Sequence, residues 1–233
     1  MTLAFIAGVA LFTHNCRKSR IQATPFFQTG LILFVFGVVG ARIAYILLFP
    51  EQFDGVIDYI SIHEGGFVFY GGFIASFIAL CVYAKIKNVS VAILCDFMAP
   101  SLALGHSIGR IGCFINDCCY GSKTDLIHIY KIKGEVFYRH PTQLYESVSL
   151  FAAAVFFDYF LKRIYLKENV VSGWVACAYA CFYAVFRFLI EFMRDDDRGG
   201  FFTVLALSPS QIISLLILMI AAIVAVYLKK KAK

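Results

Sequence analysis

The sequence predicts a helical protein embedded in a membrane, and three observations lead to that fold class. Of its 233 residues, 61% are hydrophobic and only 15% are charged. Mean hydropathy is +0.78, well above the range of soluble domains. Apolar runs long enough to cross about 30 Å of hydrocarbon recur along the chain. These runs are continuous rather than alternating, which favours helices over the strands of a barrel.

The apolar runs divide into seven segments, so we predict an all-α integral membrane protein with about seven transmembrane helices. The segments are residues 2–15, 25–49, 66–86, 91–112, 142–161, 171–192 and 207–228. The first holds only about 13 apolar residues, which is short for a membrane helix. We expect a truncated helix there, or one that its neighbours shield. No cleavable signal peptide is expected, and residues 1–233 are predicted to form a single polytopic membrane domain.

The positive charges between the segments predict an orientation. Lys and Arg residues cluster at 16–20, 85–87, 162–167 and 229–233, and all four clusters fall on one side if the seven segments alternate. The positive-inside rule makes that side cytoplasmic, with the N-terminus outside and the C-terminus inside. The long segment 113–141 is then an outer-side loop, large enough to carry structure of its own. The net charge of +6 follows this distribution, so nucleic acid is not an expected partner.

A few charged side chains fall inside the apolar segments. They are Arg42, Asp96, Arg110, Glu146, Arg187 and Glu191. Each costs roughly 2.5–3.5 kcal/mol on insertion scales, so such charges usually face a cavity or a partner. All except Asp96 lie near the predicted outer end of their segment, whereas a transporter would place ionisable residues along a path across the membrane. The asymmetry favours chemistry at the outer membrane surface.

The arginines near the outer ends predict a site for an anion. Arg187 and Glu191 are four residues apart and share a helix face, which Arg194 continues. They form either an internal ion pair that joins helices or a cationic pocket for an anionic lipid head group. Arginine suits the second role because its planar fork can clamp phosphate oxygens and stays charged when desolvated. Arg110 lies in "GHSIGRIG", whose glycines allow a backbone or a lipid to approach closely.

Several linked motifs resemble those of the prolipoprotein diacylglyceryl transferase family. They are "GARIAY" (40–45), "FVFYGGFIAS" (67–76), "GRIGCFIN…YG" (109–121), "RHPTQLYE" (139–146) and "YAVFRFLIEFMRDDD" (183–197). The resemblance implies a seven-helix enzyme of the bacterial cytoplasmic (inner) membrane, with its active site towards the outer side. It implies transfer of the diacylglyceryl group of phosphatidylglycerol to the lipobox cysteine thiol of an exported prolipoprotein. A thioether forms and glycerol 1-phosphate is released. No cofactor is implied.

The resemblance also assigns roles to residues of this chain. Arg110 and Arg187 match the two arginines that the family uses around the phosphatidylglycerol head group, where negative charge grows as the phosphate leaves. The residues that it implies in substrate binding are Gly109, Gly121, Tyr183, Glu191, Arg194, Glu146 and Arg42.

Two departures from the family pattern bear on the acceptor thiol. Tyr70 stands where the family has a histidine that is a leading candidate for activating the thiol. A tyrosine, with a reference pKa near 10, is a poor base at neutral pH, so Tyr70 is a candidate for orienting the head group through its hydroxyl. His106 lies four residues before Arg110 on the same helix face. It either takes the base role or binds phosphate, or it only hydrogen-bonds a neighbouring helix.

Cysteines replace two further family residues. Cys113 stands in place of an asparagine and Cys118 in place of a glutamate, and Cys119 follows. A disulfide from Cys113 to Cys118 or Cys119 would stiffen the loop. Three thiols with no obvious fourth ligand make an incomplete zinc set, and we predict no metal. These changes leave two alternatives open: a related head-group transferase with a different acceptor, and a catalytically silent lipid-binding homologue.

Overall fold

The computed structural model describes residues 2–18, 26–53, 55, 59, 66–132, 135–165, 171–194 and 207–231. Seven α-helices and one hairpin account for most of them. In chain order these are α1 (Thr2–Lys18), α2 (Phe26–Leu48), α3 (Phe69–Ile86), α4 (Val91–Ile115), β1 (Lys123–Ile132), β2 (Glu135–Arg139), α5 (Thr142–Tyr165), α6 (Trp174–Ile190) and α7 (Pro209–Lys231). Short 3₁₀ helices follow α2 (Pro50–Gln52) and α6 (Glu191–Met193).

The helices confirm the prediction of a helical integral membrane protein. Five helical stretches are long and apolar enough to cross a bilayer, where α6 is counted together with the 3₁₀ helix that follows it. They are Gln28–Leu48, Val91–Ile115, Thr142–Tyr165, Trp174–Met193 and Pro209–Lys230. The apolar part of α3, Tyr70–Ile86, is shorter. Helix α1 has 17 residues and spans about 25 Å at 1.5 Å per residue, in line with the short first segment.

The chain divides into two compact units. One comprises Arg20–Leu94, and the other comprises Met1–Ser19 with Cys95–Lys233. In the first unit, α2 and α3 pack closely through glycines. A side chain on Gly72 would place its Cβ 2.6 Å from the carbonyl oxygen of Gly37, so only glycine fits. The Ser76 hydroxyl donates a 2.8 Å hydrogen bond to the Leu33 carbonyl and fixes the pair further along.

In the second unit, a reciprocal pair of serines joins α4 to α5. The Ser107 hydroxyl donates to the Ser147 carbonyl at 2.8 Å, and the Ser147 hydroxyl donates to the Ser107 carbonyl at 3.0 Å. Both serines are buried. Since Arg110 follows Ser107 by about one turn and Glu146 precedes Ser147, this contact brings the two charged residues to the same level of the helix pair.

Asp96 ties α4 to the start of α6. Its carboxylate is fully buried and accepts hydrogen bonds from the Gly173 and Ala176 backbone N–H groups at 2.6 and 2.7 Å. The Tyr165 hydroxyl donates a third at 2.8 Å. Gly173 has φ +111°, a conformation that favours glycine. Asp96 thus supplies from a neighbouring helix the acceptor that the N-terminus of α6 needs.

The loop after α4 contains the one sheet of the described chain, a two-stranded antiparallel hairpin. Strand β1 pairs with β2 from Ile132 opposite Glu135 to His128 opposite Arg139, and an irregularity follows towards Lys123. The predicted loop over 113–141 therefore does carry structure of its own. Its first residues belong to α4, which continues to Ile115.

Candidate functional site

Glu146 lies at the centre of a buried charge cluster in the second unit. Its carboxylate is 1% exposed and forms a 2.6 Å ion pair with Nη2 of Arg110. Nη1 of Arg194 donates to it at 2.8 Å, and Nη1 of Arg187 lies 4.0 Å away. One carboxylate from α5 therefore gathers guanidinium groups from α4, α6 and the segment after α6.

A second carboxylate completes the cluster. Nη2 of Arg187 forms a 2.6 Å ion pair with Glu191, one turn further along the chain, and donates to the Ser210 hydroxyl at 3.0 Å. The Ser208 hydroxyl donates to Glu191 at 2.8 Å. The start of α7 thus holds the Arg187–Glu191 pair in place.

The start of α7 is itself well fixed. The Ser208 hydroxyl accepts a hydrogen bond from the Gln211 N–H at 3.2 Å, and the Gln211 side chain accepts one from the Ser208 N–H at 2.9 Å. This is a capping box, with Pro209 as the first helical residue, a position that proline favours. Its "SPSQ" pattern was the sequence signal that could have pointed to Ser208.

Among the residues that the structure describes, the cluster has more positive than negative charge. It contains three arginines, Arg110, Arg187 and Arg194, and two carboxylates, Glu146 and Glu191, all with side chains at most 12% exposed. Nε of Arg110 is buried and has no hydrogen-bond partner among the residues that the structure describes. A buried donor without a partner costs free energy, and an anion at Arg110 would satisfy both the donor and the excess charge.

The surface of α4 beside Arg110 is open. A Cβ added at Gly109 or Gly112 would meet no atom of the described chain within 4 Å. Gly105 differs, since its Cβ would lie 3.2 Å from the Ala4 carbonyl oxygen, so it serves the packing of α1 on α4. The glycines nearest to Arg110 therefore leave room for a ligand.

His106 lies on α4 one turn before Arg110 and faces an aromatic side chain. Its ring centroid is 5.6 Å from that of Tyr183, and Tyr183 in turn lies 6.3 Å from Tyr179. Two residues that the sequence placed in the site, His106 and Tyr183, are thus neighbours of each other.

Gly121 marks the point where the hairpin meets the end of α6. It pairs with Arg194 in an isolated antiparallel bridge, and its N–H donates to the His140 carbonyl at 2.9 Å. A Cβ at Gly121 would lie 2.6 Å from the Met193 carbonyl oxygen. Gly121 therefore acts through the backbone, by bringing the loop against Arg194.

The other two predicted site residues, Arg42 and Tyr70, belong to the first unit. Arg42 is buried, donates to the Gly66 carbonyl at 3.2 Å, and lies over the ring of Phe53 at 5.2 Å. Tyr70 lies in the first turn of α3 and is half exposed. Arg42 thus has a local structural role, in addition to any role towards a ligand.

Three cysteines lie beside the charge cluster. Cys113, Cys118 and Cys119 are free thiols, and their Sγ atoms all lie within 4.8 Å of one another. The hydrogen bond from the Cys113 thiol, followed by the hydrogen bond and the charge of Arg194, lowers the pKa of Cys119 to about 5 against the opposing effect of burial. Burial raises the pKa of Cys118.

Sequence reasoning missed the polar residues that assemble the cluster. Ser107 and Ser147 align α4 with α5, and Ser208 and Ser210 hold Arg187 and Glu191. Among these, only Ser208 had a sequence signal, the capping box. The others are small polar residues within apolar helices, where serine is common in helix contacts.

Known proteins resemble this chain over nearly its whole length. Residues 1–227 match the family model for prolipoprotein diacylglyceryl transferase. A phosphatidylglycerol–prolipoprotein diacylglyceryl transferase of Clostridium tetani (strain Massachusetts / E88) is 33% identical, over 96% of this chain and 89% of that protein.

Two more relatives carry the same name. The protein of Clostridium botulinum (strain Langeland / NCTC 10281 / Type F) is 34% identical over 82% of this chain and 76% of its own length. That of Clostridium perfringens (strain 13 / Type A), numbered 1, is 29% identical over the whole chain and 89% of its own length. The chain belongs to the prolipoprotein diacylglyceryl transferase family, because the family model covers nearly all of its length and these relatives carry the family's name.

Proposed function

We propose that this protein transfers the diacylglyceryl group of phosphatidylglycerol to the lipobox cysteine thiol of an exported prolipoprotein. A thioether forms and glycerol 1-phosphate is released. The observation that carries the proposal is the buried cluster of three arginines and two carboxylates, in which Arg110 keeps a donor free beside an open helix surface. A lipid phosphate supplies the negative charge and the acceptor oxygens that this cluster lacks.

The arginines bind the phosphate and stabilise it as it leaves. The thiolate attacks the glyceryl carbon that bears the phosphate, so a C–S bond forms while the C–O bond breaks. The bonding electron pair departs with glycerol 1-phosphate. Arg110 and Arg187 stabilise the charge that grows on the leaving oxygen. Because both are already held by carboxylates, they need little reorganisation when the charge develops.

Glu146 and Glu191 are positioning residues in this mechanism. Glu146 fixes Arg110 and Arg194, and Glu191 fixes Arg187. The Arg110–Glu146 and Arg187–Glu191 ion pairs are both 2.6 Å long, which limits the movement of each guanidinium group. Gly109 gives the lipid access to Arg110, and Gly121 places the loop against Arg194.

The thiol must lose its proton before it attacks, because a free cysteine has a pKa near 8.5. His106, one turn from Arg110 and beside Tyr183, is the proposed base on this chain. The family motifs add two further candidates: Tyr70, which stands where the family has histidine, to orient a head group through its hydroxyl, and Arg42 as a substrate-binding residue.

The protein is proposed to act as one polytopic domain of the bacterial cytoplasmic membrane. All seven helices cross or enter the bilayer, with the N-terminus outside and the C-terminus inside, and the active site opens to the outer side. The distribution of lysine and arginine supports this orientation. Phosphatidylglycerol and the lipobox of the prolipoprotein signal peptide are the partners.

A second function has an observation in its favour. Tyr70, Cys113 and Cys118 replace the histidine, asparagine and glutamate that the family pattern has near the reacting thiol. The phosphate site is retained while these positions change. A head-group transferase with a different acceptor, or a silent lipid-binding homologue, would fit that combination.

The test is transfer from phosphatidylglycerol to a lipobox peptide by purified protein in detergent micelles. Thioether product is expected with the wild type, and Arg110→Ala or Arg187→Ala is expected to lower the rate on the order of 10²-fold or more. Arg163→Ala is the matched control, because Arg163 is exposed and contacts Tyr159. The transfer rate of His106→Ala tests whether His106 is the base. Folded wild type that binds the lipid but gives no thioether would rule out the proposal and favour the second function.

A further inference from the structure

The three thiols beside the charge cluster have the spacing of a metal site. Tetrahedral zinc with Zn–S bonds of about 2.3 Å places its sulfur ligands about 3.8 Å apart. The Sγ atoms of Cys113, Cys118 and Cys119 already lie within 4.8 Å of one another. A contraction of at most about 1 Å would therefore convert the present arrangement into three corners of a tetrahedron.

The loop that carries the thiols is held in place from α5. The carbonyls of Cys118 and Cys119 accept hydrogen bonds from the Gln143 amide at 2.6 Å and the Thr142 hydroxyl at 3.0 Å. Both donors are fully buried. The backbone N–H of Cys118 also donates to the Cys113 carbonyl at 3.1 Å. The thiols are thus brought together by the fold rather than by a chance orientation of mobile side chains.

The backbone between the thiols is itself unusual. Asp117 and Cys119 have φ of +48° and +64°, a region that non-glycine residues enter at a cost of roughly 1–3 kcal/mol. The turn directs the second and third cysteines back towards the end of α4, where Cys113 lies. Strain of this kind persists only where the surrounding structure fixes it.

The cysteine site lies against the phosphate site. Cys113 follows Arg110 by about one turn of α4, and Cys119 lies two residues before Gly121, which pairs with Arg194 in an antiparallel bridge. Within the described part of the chain, no fourth histidine, cysteine or carboxylate joins the three sulfurs. Zinc with three protein ligands keeps a coordination position for water or substrate, as catalytic zinc sites do.

We propose that Cys113, Cys118 and Cys119 bind one Zn²⁺ ion, and that its fourth position takes the acceptor cysteine as a thiolate. This inference rests on the proposed function and makes the zinc ion, in place of His106, the group that activates the acceptor thiol. It changes the sequence prediction, which set zinc aside for want of a fourth ligand, because the substrate supplies that ligand. It also gives a physical reason for cysteines in a chain that has Tyr70 where the family has histidine.

The steps balance. Binding of the ion releases the protons of the three thiols to solvent. The acceptor R–SH then displaces the bound water and releases its proton to solvent, since a thiol bound to zinc is deprotonated. The sulfur lone pair forms the C–S bond while the C–O bond to phosphate breaks. The thioether product carries no charge and is a weaker ligand, so water replaces it.

The first experiment measures zinc in the purified full-length protein, kept reduced with a phosphine. About one zinc ion per chain is expected for a single site. Cys118→Ser is expected to lower the content at least tenfold, and it should fold because Cys118 is exposed. Cys81→Ser, in α3, is the matched control and should keep the metal. Protein with no zinc, even after incubation with Zn²⁺ alone, would overturn the proposal, and so would a disulfide among the three cysteines in protein purified without the phosphine.

The second experiment tests the fourth position without phosphatidylglycerol. Protein loaded with Co²⁺ is mixed with a lipobox peptide, or with the same peptide carrying serine in place of cysteine. The cysteine peptide is expected to raise the sulfur-to-cobalt absorption by roughly a third, since four thiolates replace three. Identical spectra with the two peptides would overturn the thiolate ligand.

The two proposals can fail separately. Protein that binds zinc and the peptide thiol but forms no thioether with phosphatidylglycerol would contradict the proposed function and support the metal site. Full transfer activity in zinc-free Cys118→Ser protein would contradict the zinc proposal and support the proposed function.

Discussion

Helix α4 carries two charged residues, Asp96 and Arg110, about 21 Å apart along its axis. Asp96 is fully buried and the Arg110 side chain is 12% exposed, and their surroundings differ. Both oxygens of the Asp96 carboxylate accept hydrogen bonds from neutral donors. Arg110 lies among two other arginines and two carboxylates and keeps Nε without a partner among the described residues. Asp96 therefore has its hydrogen bonds within the fold, while Arg110 has only part of its own.

This difference separates a structural charge from a functional one in a membrane protein. A buried charge is costly wherever it lies, so burial alone does not distinguish the two. Asp96 repays its cost by capping α6. The arginine cluster leaves positive charge and a donor free beside an open helix surface, which is useful only when an anion arrives. Four substitutions test this contrast, taken here in order of expected effect.

Glu146→Ala is expected to give the largest loss of stability. Glu146 contacts Arg110 and Arg194 directly, and its removal leaves buried guanidinium groups without their carboxylate. Breaking a buried ion pair from one side costs about 3–5 kcal/mol, which thermal unfolding in detergent would detect. Asp117→Asn is the control, since Asp117 is exposed. Unfolding of Glu146→Ala within a few tenths of a kcal/mol of wild type would contradict a central role for this carboxylate.

Asp96→Ala should cost about 2–3 kcal/mol of folding stability, because it leaves the Gly173 and Ala176 N–H groups without their acceptor. Transfer activity per folded molecule should stay at the wild-type level. Asp96→Asn keeps one acceptor oxygen and should lose less stability. A fall in activity without a fall in stability would show that Asp96 is not merely structural.

Arg110→Lys should lower transfer activity more than stability, which is the reverse of the effect expected for Asp96→Ala. Lysine keeps the charge but loses the planar fork that holds Glu146 and phosphate together. We expect the transfer rate to fall at least about tenfold, or about 1.4 kcal/mol in the barrier, with less loss of stability than Glu146→Ala. The measurement is the rate at saturating phosphatidylglycerol, with Arg163→Lys as the control. Wild-type rates for Arg110→Lys would argue against two-point recognition of phosphate.

Ser208→Ala should have the smallest effect. It removes the hydrogen bond to Glu191 and the cap of α7, and a lost N-cap costs about 1 kcal/mol. Activity should fall only slightly, because Arg187 keeps its direct pair with Glu191. Ser208→Thr preserves the hydroxyl and should restore most of the lost stability. If Ser208→Thr did not restore stability, the loss in Ser208→Ala would not come from the capping hydrogen bond.

The sequence predicted the helices and most of the cluster. The seven apolar segments correspond to α1–α7 within a few residues at each end, because a continuous apolar run in lipid must satisfy its own backbone. Arg110, Glu146, Arg187, Glu191 and Arg194 came from spacing, from the cost of charges in lipid and from the family motifs, and the structure brings all five together.

The sequence could not predict which carboxylate would serve which arginine. Arg187 and Glu191 pair as their four-residue spacing suggested. Arg194, expected to extend that face, instead turns to Glu146, because α6 ends at Ile190 and a 3₁₀ turn follows. A helix end of this kind depends on the segments packed around it, here the bridge from Gly121 to Arg194.

The sequence by itself therefore determined the membrane class, the helices and the set of charges, since each depends on composition and local spacing. The tertiary structure alone decided that Ser107 and Ser147 bring Arg110 level with Glu146. It also decided that a strained turn gathers three cysteines that lie up to six residues apart. The physical reason is that hydropathy acts along one helix at a time, whereas the distances between side chains on different helices are set by packing.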